Sequence, residues 1–242
     1  MRQNILFKVL LLVMVCVSAP AWAQEPFTME TPPADSLKSL PPALRDLLDP
    51  QGSSLVTMVN GVKITAMTVW WKKSVPTLAK PVSGPDIIYG SFQVGALVGV
   101  LNFPPESTAD FREDSRDQKL QPGFYTMRYA RMPSDASHKD VSPYRDFVLL
   151  SPVNLDTDYA RILSLDELMK LSDRASRTKH PAVISLVPVN EAYKARPGIV
   201  SDDTGRCTLQ VKLHGKTAGG KMKSDVQVAI VLITPERESG GS

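Results

Sequence analysis

The chain is 242 residues long, with 28 basic and 25 acidic side chains, 43% hydrophobic and 22% charged residues, and two cysteines. These proportions exclude wholesale disorder, a collagen-like repeat and a coiled coil. One domain, or at most two small ones, is expected, long enough to bury a core without disulfide staples, and a net charge of +3 is too small to imply a nucleic-acid partner.

The first residues carry a targeting pattern. Arg2 and Lys8 flank an apolar run from Ile5 to Val17, and Ser18–Gln24 reads SAPAWAQ. A basic start, a short apolar run and an Ala-x-Ala site describe a secretory signal peptide over 1–23, cleaved after Ala23. The run is shorter than the ~20 residues that a membrane-spanning helix needs, so no membrane span is expected after cleavage. Val13-Met14-Val15 before Cys16 lacks the small residue of a lipoprotein site. The expected location is periplasmic or secreted. Loss of Arg2 and Lys8 makes most of the positive charge a targeting feature, and Cys207 is then the remaining cysteine, which excludes an intrachain disulfide and a cysteine zinc site.

Residues 24–35 hold Pro26, Pro32 and Pro33 among polar neighbours and read as a flexible leader. Leu40, Leu44, Leu47 and Leu48 have the spacing of a helix face, with Pro41 and Pro42 in its first turn. The pattern then turns to β. Ser54–Val59 and Val62–Trp71 flank Asn60-Gly61, the dipeptide of a type I′ hairpin. Further β-branched or aromatic runs follow at Ile87–Phe92, Ala96–Phe103, Phe124–Met132, Phe147–Leu150, Val183–Val187, Cys207–Leu213 and Val226–Ile233. Cys207 shares a strand face with Leu209, Val211 and Leu213, and reads as a small buried hydrophobe. Val226–Ile233 is apolar on both faces, which predicts a central, doubly covered strand.

One helix interrupts this run. Ser164 and Glu167 form a capping box, with Leu163 and Leu168 placed as a hydrophobic staple. The predicted buried stripe is Leu165, Leu168, Met169 and Ser172, ending near Arg177. Residues 236–242 read as a disordered polar tail. Roughly nine strands, two short helices and no βαβ rhythm predict a mainly β fold as a single domain over 36–235; an antiparallel β-sandwich fits better than a closed barrel, and the sequence pattern is compatible with both.

No catalytic motif emerges. His138 with Asp135 and Asp140 offers one imidazole and two carboxylates to a metal, but no second histidine lies near and Lys139 intervenes. Ser142 with His138 or His180 lacks a Gly-x-Ser-x-Gly elbow. Asp110, Glu113, Asp114 and Asp117 interleave with Arg112, Arg116 and Lys119, the pattern of a solvated loop or edge strand. No catalytic residue, metal or cofactor is therefore assigned. For binding, Trp70 and Trp71 point to opposite faces of one strand, so one enters the core; the other is either covered or exposed beside Lys72 and Lys73, where it can stack on a sugar. The loop after the Phe124–Met132 strand places Asp135, His138, Asp140, Ser142 and Arg145 as candidate ligand-facing residues. Tyr125, Met127 and Tyr129 share a strand face and read as core.

Leu120–Tyr129 (LQPGFYTMRY), Val141–Leu150 (VSPYRDFVLL) and Ala175–Pro181 (ASRTKHP) resemble a group of uncharacterised exported bacterial β-rich proteins. The proline-glycine-aromatic start of the strand more distantly resembles the DUF2911 family of secreted β-sandwich-like proteins. Those relatives tend to carry an Asp-Gly-Asp-His loop before the Val-Ser-Pro run, where this chain has Ser134–Asp140 (SDASHKD). The resemblance implies an exported β fold and names no activity. The expected function is a non-catalytic binding or envelope-associated module for an envelope protein, small ligand or glycan. Its rival is a periplasmic hydrolase acting through His138 with Asp140 or Ser142, and a third reading is a subunit of an envelope assembly.

Overall fold

The computed structural model describes residues 27–133, 144–190, 198–202, 205–217, 220 and 223–234. Asn60 and Gly61 take positive φ, 51° and 78°, the turn that matches the twist of two paired strands. They fold β2 (Ser53–Val59) onto β3 (Val62–Trp71). Around this hairpin the other strands are β1 (Thr28–Glu30), β4 (Val75–Thr77), β5 (Leu97–Phe103), β6 (Gly123–Arg131) and β7 (Asp146–Pro152). Later in the chain come β8 (Ala182–Val187), β9 (Gly198–Ser201), β10 (Cys207–Thr217) and β11 (Lys223–Ile233).

They form one 11-stranded sheet in the order β1-β2-β3-β5-β6-β7-β8-β11-β10-β4, with β9 also on β10. All pairs are antiparallel except β10–β4. β3 lies near one end of this order and β4 at the other, yet only Lys72–Ser74 connect them. The sheet must therefore curl until its ends approach. The expected class, mainly β and antiparallel with two helices, is the one observed. Its two halves face each other across a shared core as sandwich layers do, but β8 pairs into both, so the result is a single coiled sheet, nearly a closed barrel.

Alternate side chains from most of the strands fill the interior. Val69 and Trp71 of β3, Met127 and Tyr129 of β6, Cys207 and Leu209 of β10, and Ile230 of β11 belong to this one cluster. The outer face carries two smaller clusters. Leu37, Leu40, Leu44 and Leu48 cover Trp70, Leu97 and Val100. Helix α2 (Leu165–Ser176) lays Leu168 on Ala130, Phe147, Leu149 and Val183. Strands β5, β6 and β7 are thus buried on both faces, and so is β11 from Val228 to Leu232, between β8 and β10 as its two-sided apolarity predicts.

The capping box forms as read from the sequence: Glu167 N–H donates to the Ser164 hydroxyl and the Glu167 carboxylate accepts from Ser164 N–H. The buried stripe differs. Ala175 and Ser176 join Leu168 and Ser172, while Met169 faces solvent. The leucine-rich segment forms only one helical turn, α1 (Pro42–Arg45), because its flanking bonds are of the tighter three-residue type, Leu47 N to Leu44 O and Leu48 N to Arg45 O. Within the stretch read as a flexible leader, Phe27 is buried and Thr28–Glu30 pairs with β2. Ile87–Phe92, expected as a strand, is not one. The N–H groups of Ile88 and Tyr89 bond the Asp146 carboxylate instead of a neighbouring strand, and Tyr89 and Phe92 are apolar plugs of the interior.

Between the two outer clusters lies Arg128, fully buried. Its Nε and Nη2 grip both oxygens of Asp156 at 2.6 and 2.8 Å. Nη1 donates to Gly95 O and Arg161 O, and Nη2 also to Asp158 O. All five donors of the guanidinium are used, and the Thr126 hydroxyl adds a bond to Asp156. Gly95 takes φ +88°, and a β-carbon there would sit 1.9 Å from Leu163 O, so only glycine lets the 153–163 loop close over Arg128. Arg128→Met, which strands the Asp156 charge in the interior, is expected to cost about 3–5 kcal/mol of stability. Urea denaturation followed by circular dichroism measures it; a loss under about 1 kcal/mol would assign the loop to its apolar contacts alone.

Candidate functional site

Of the residues singled out by sequence, Asp135, His138, Asp140 and Ser142 lie outside the described residues. Arg145 stands at the foot of that segment. Its guanidinium grips Met132 O through Nε and Nη2 at 2.8 and 2.6 Å, and its N–H bonds Asp86 O. Arg145 thus ties the two stems together rather than reaching for a ligand. Trp70 and Trp71 are both buried, 1% and 7% exposed. Trp70 packs on Phe124 under the leucine segment, and Trp71 points into the interior. Neither presents an indole for a sugar to stack on, because the leucine layer covers the outer face.

Below those stems a polar network plugs one end of the coil. Asp146 is fully buried. One carboxylate oxygen accepts from Ile88 N–H at 2.6 Å and Tyr89 N–H at 3.3 Å; the other accepts from the Tyr129 hydroxyl and Arg131 Nε. Arg131 Nη2 donates to the Tyr129 oxygen at 2.6 Å, and the Tyr89 hydroxyl donates to Val187 O. Burial first, and then the Asp146 carboxylate, hold the Tyr129 hydroxyl well above the usual phenol range, so it remains a proton donor. Each oxygen of Asp146 is already occupied twice. The arrangement is a tie between β6, β7 and the 86–89 loop, with no base left over for a substrate.

The acidic cluster behaves differently from a solvated loop. Asp114 is fully buried, while Asp110 and Glu113 pair with Lys119. One Asp114 oxygen accepts from Arg116 N–H and Gln118 N–H, the other from Gln118 Nε2 and Val183 N–H. Burial pushes its carboxyl up, against the opposing pull of these four donors. Asp114 fastens the 106–120 excursion to β8. The remaining histidines stay at the surface: His180 is exposed, and His214 pairs with Asp225.

A concave surface appears where sequence reading did not place one. A cleft of about 600 Å³ opens between the leucine segment, the start of β6, the end of β7 and the C-terminal end of α2. Leu40, Phe124, Val153 and Leu155 form apolar walls, and Leu155 is 45% exposed. Arg174 and Arg177 stand at the rim. Among the described residues, no acidic one lines it. Tyr125 lies in the floor, its hydroxyl donating to Gln121 O and held above its usual range chiefly by burial. The one signal available in sequence was the helix end, Ala175-Ser176-Arg177-Thr178, which lacks the glycine that ends so many helices. The cleft's volume is that of a small-molecule site, and its lining offers apolar contact with a few polar groups.

Comparison of the chain with family models, with curated proteins and with solved structures finds no match. No helix among the described residues is long and apolar enough to cross a membrane.

Asp114→Asn tests whether the excursion hangs on the carboxylate. Whichever way the amide turns, its NH₂ meets two N–H donors, so a loss of about 1–3 kcal/mol is expected in urea denaturation. An unchanged midpoint would show that the four donors find water instead.

Proposed function

We propose that the chain is an exported binding module without catalysis of its own, and that its ligand sits in the cleft beside the C-terminal end of α2. The observation that carries this reading is a contrast in hydrogen bonding. Arg128, Arg131, Arg145, Asp114 and Asp146 spend their bonds on holding loops to the sheet. The guanidinium groups of Arg174 and Arg177 have neither a hydrogen bond nor an ion pair among the described residues, and they border a cleft of mixed apolar and polar lining. Unused donors beside apolar walls are what a specific small-ligand seat requires. Export is supported by the Ala-x-Ala pattern at Ala21–Ala23, and a periplasmic or secreted location follows from it.

The experiment is a fragment screen by ¹⁵N–¹H correlation spectra on the protein beginning at Gln24. Shifts confined to the amides of Phe124, Val153, Arg174 and Ala175 are expected. Shifts gathered instead around Arg131, Asp146 and the 134–143 segment, or no shifts with any fragment, would overturn it.

A further inference from the structure

Resting on the cleft as the binding seat, we propose that it takes a small amphipathic carboxylate, with the anionic head between Arg174 and Arg177 and the apolar part against Leu40, Pro41, Val153 and Leu155. Charge is the first ground. The lining holds two arginines and, among the described residues, no carboxylate; Arg45, Arg161 and Arg206 each pair with an acidic side chain, while the half-buried Arg116, outside the lining, has no such pair among the described residues. Both guanidiniums line one cleft, and an anion seated there meets two positive charges. The planar fork of arginine matches a carboxylate in two-bond geometry.

The backbone is the second and independent ground. Arg177 takes φ +56°, the left-handed conformation, directly after the last residue of α2. Glycine usually fills that position because a β-carbon is strained there. Strain of this kind persists where the surrounding structure holds it, and it gathers at ligand clamps and switch regions. Interaction with the helix dipole accounts for a basic residue in the last turn, which Arg174 already provides. It does not account for a second arginine in a strained conformation at the rim of a cleft.

The apolar wall narrows the ligand further. Inorganic phosphate would satisfy the arginines but leave Leu155 in water, while a neutral alcohol would cover Leu155 and leave both charges unpaired. A carboxylate on a short alkyl or aryl body answers both. The floor adds no competing negative charge, since the Tyr125 hydroxyl keeps its proton in bonding Gln121 O.

The test is titration of the protein with sodium octanoate, 1-octanol, octylammonium chloride and sodium phosphate, read by calorimetry and by amide shifts at the cleft. Octanoate is expected to bind about tenfold more tightly than the other three, and Arg174→Gln and Arg177→Gly each to weaken it about tenfold. Arg177→Gly is also expected to raise the melting temperature, because it removes the strained β-carbon, so weaker binding in that variant does not come from unfolding. Octanol or octylammonium binding as tightly as octanoate, or phosphate matching it, would overturn this inference while leaving the cleft as a seat. Failure of all four to bind would overturn both. A melting temperature lowered by Arg177→Gly would place Arg177 in the helix end rather than in the seat, and would overturn the inference too.

Discussion

The buried pair of Arg128 and Asp156 is the constraint around which the outer face is arranged. A guanidinium at 0% exposure must have every donor satisfied, since water cannot reach it. Its five bonds draw in Gly95, Asp156, Asp158 and Arg161, and so fold the 153–163 loop flat against β6. That loop ends at Leu163, whose packing with Leu168 sets where α2 begins. The direction of α2 then carries Arg174 and Arg177 to the cleft. One interior charge thus governs the position of a surface twelve residues of helix away.

Buried carboxylates repeat the same logic elsewhere. Asp146 collects two backbone N–H groups from the 86–89 loop, and Asp114 collects three from two separate segments. In each case a long excursion from the sheet is held by a buried acceptor that several donors share, so that its own charge is satisfied as well. This leaves few charged groups inside the fold with capacity to spare. At the rim of the cleft, by contrast, the Arg174 and Arg177 guanidiniums are without a hydrogen bond or ion pair among the described residues.

What could be read in advance was what depends on neighbours in sequence. The Asn60-Gly61 turn, the Ser164–Glu167 capping box and the two-sided apolarity of Val226–Ile233 each rest on local geometry, and each is found. Ile87–Phe92 failed because its apolar residues serve the interior as plugs while its backbone bonds Asp146, a residue far along the chain. Whether the second indole would be covered or exposed was left open by the sequence, because the cover of Trp70, the leucine segment, is packed on it only in the folded state. Asp114 looked solvated because alternating charges say nothing about which one turns inward.

By itself the sequence determined the class of fold, the hairpin, the limits of α2 and the burial of Cys207 with its strand face, all consequences of side-chain alternation and turn chemistry within a few residues. Only the tertiary structure decided that the sheet coils into one near-closed body, because that follows from β3 running straight into β4 at the far end of the strand order. It also decided that Leu40, Phe124, Val153 and Arg177 meet around a single cleft. Residues so distant in the chain come together through register and the Arg128 tie, and no local pattern encodes their meeting.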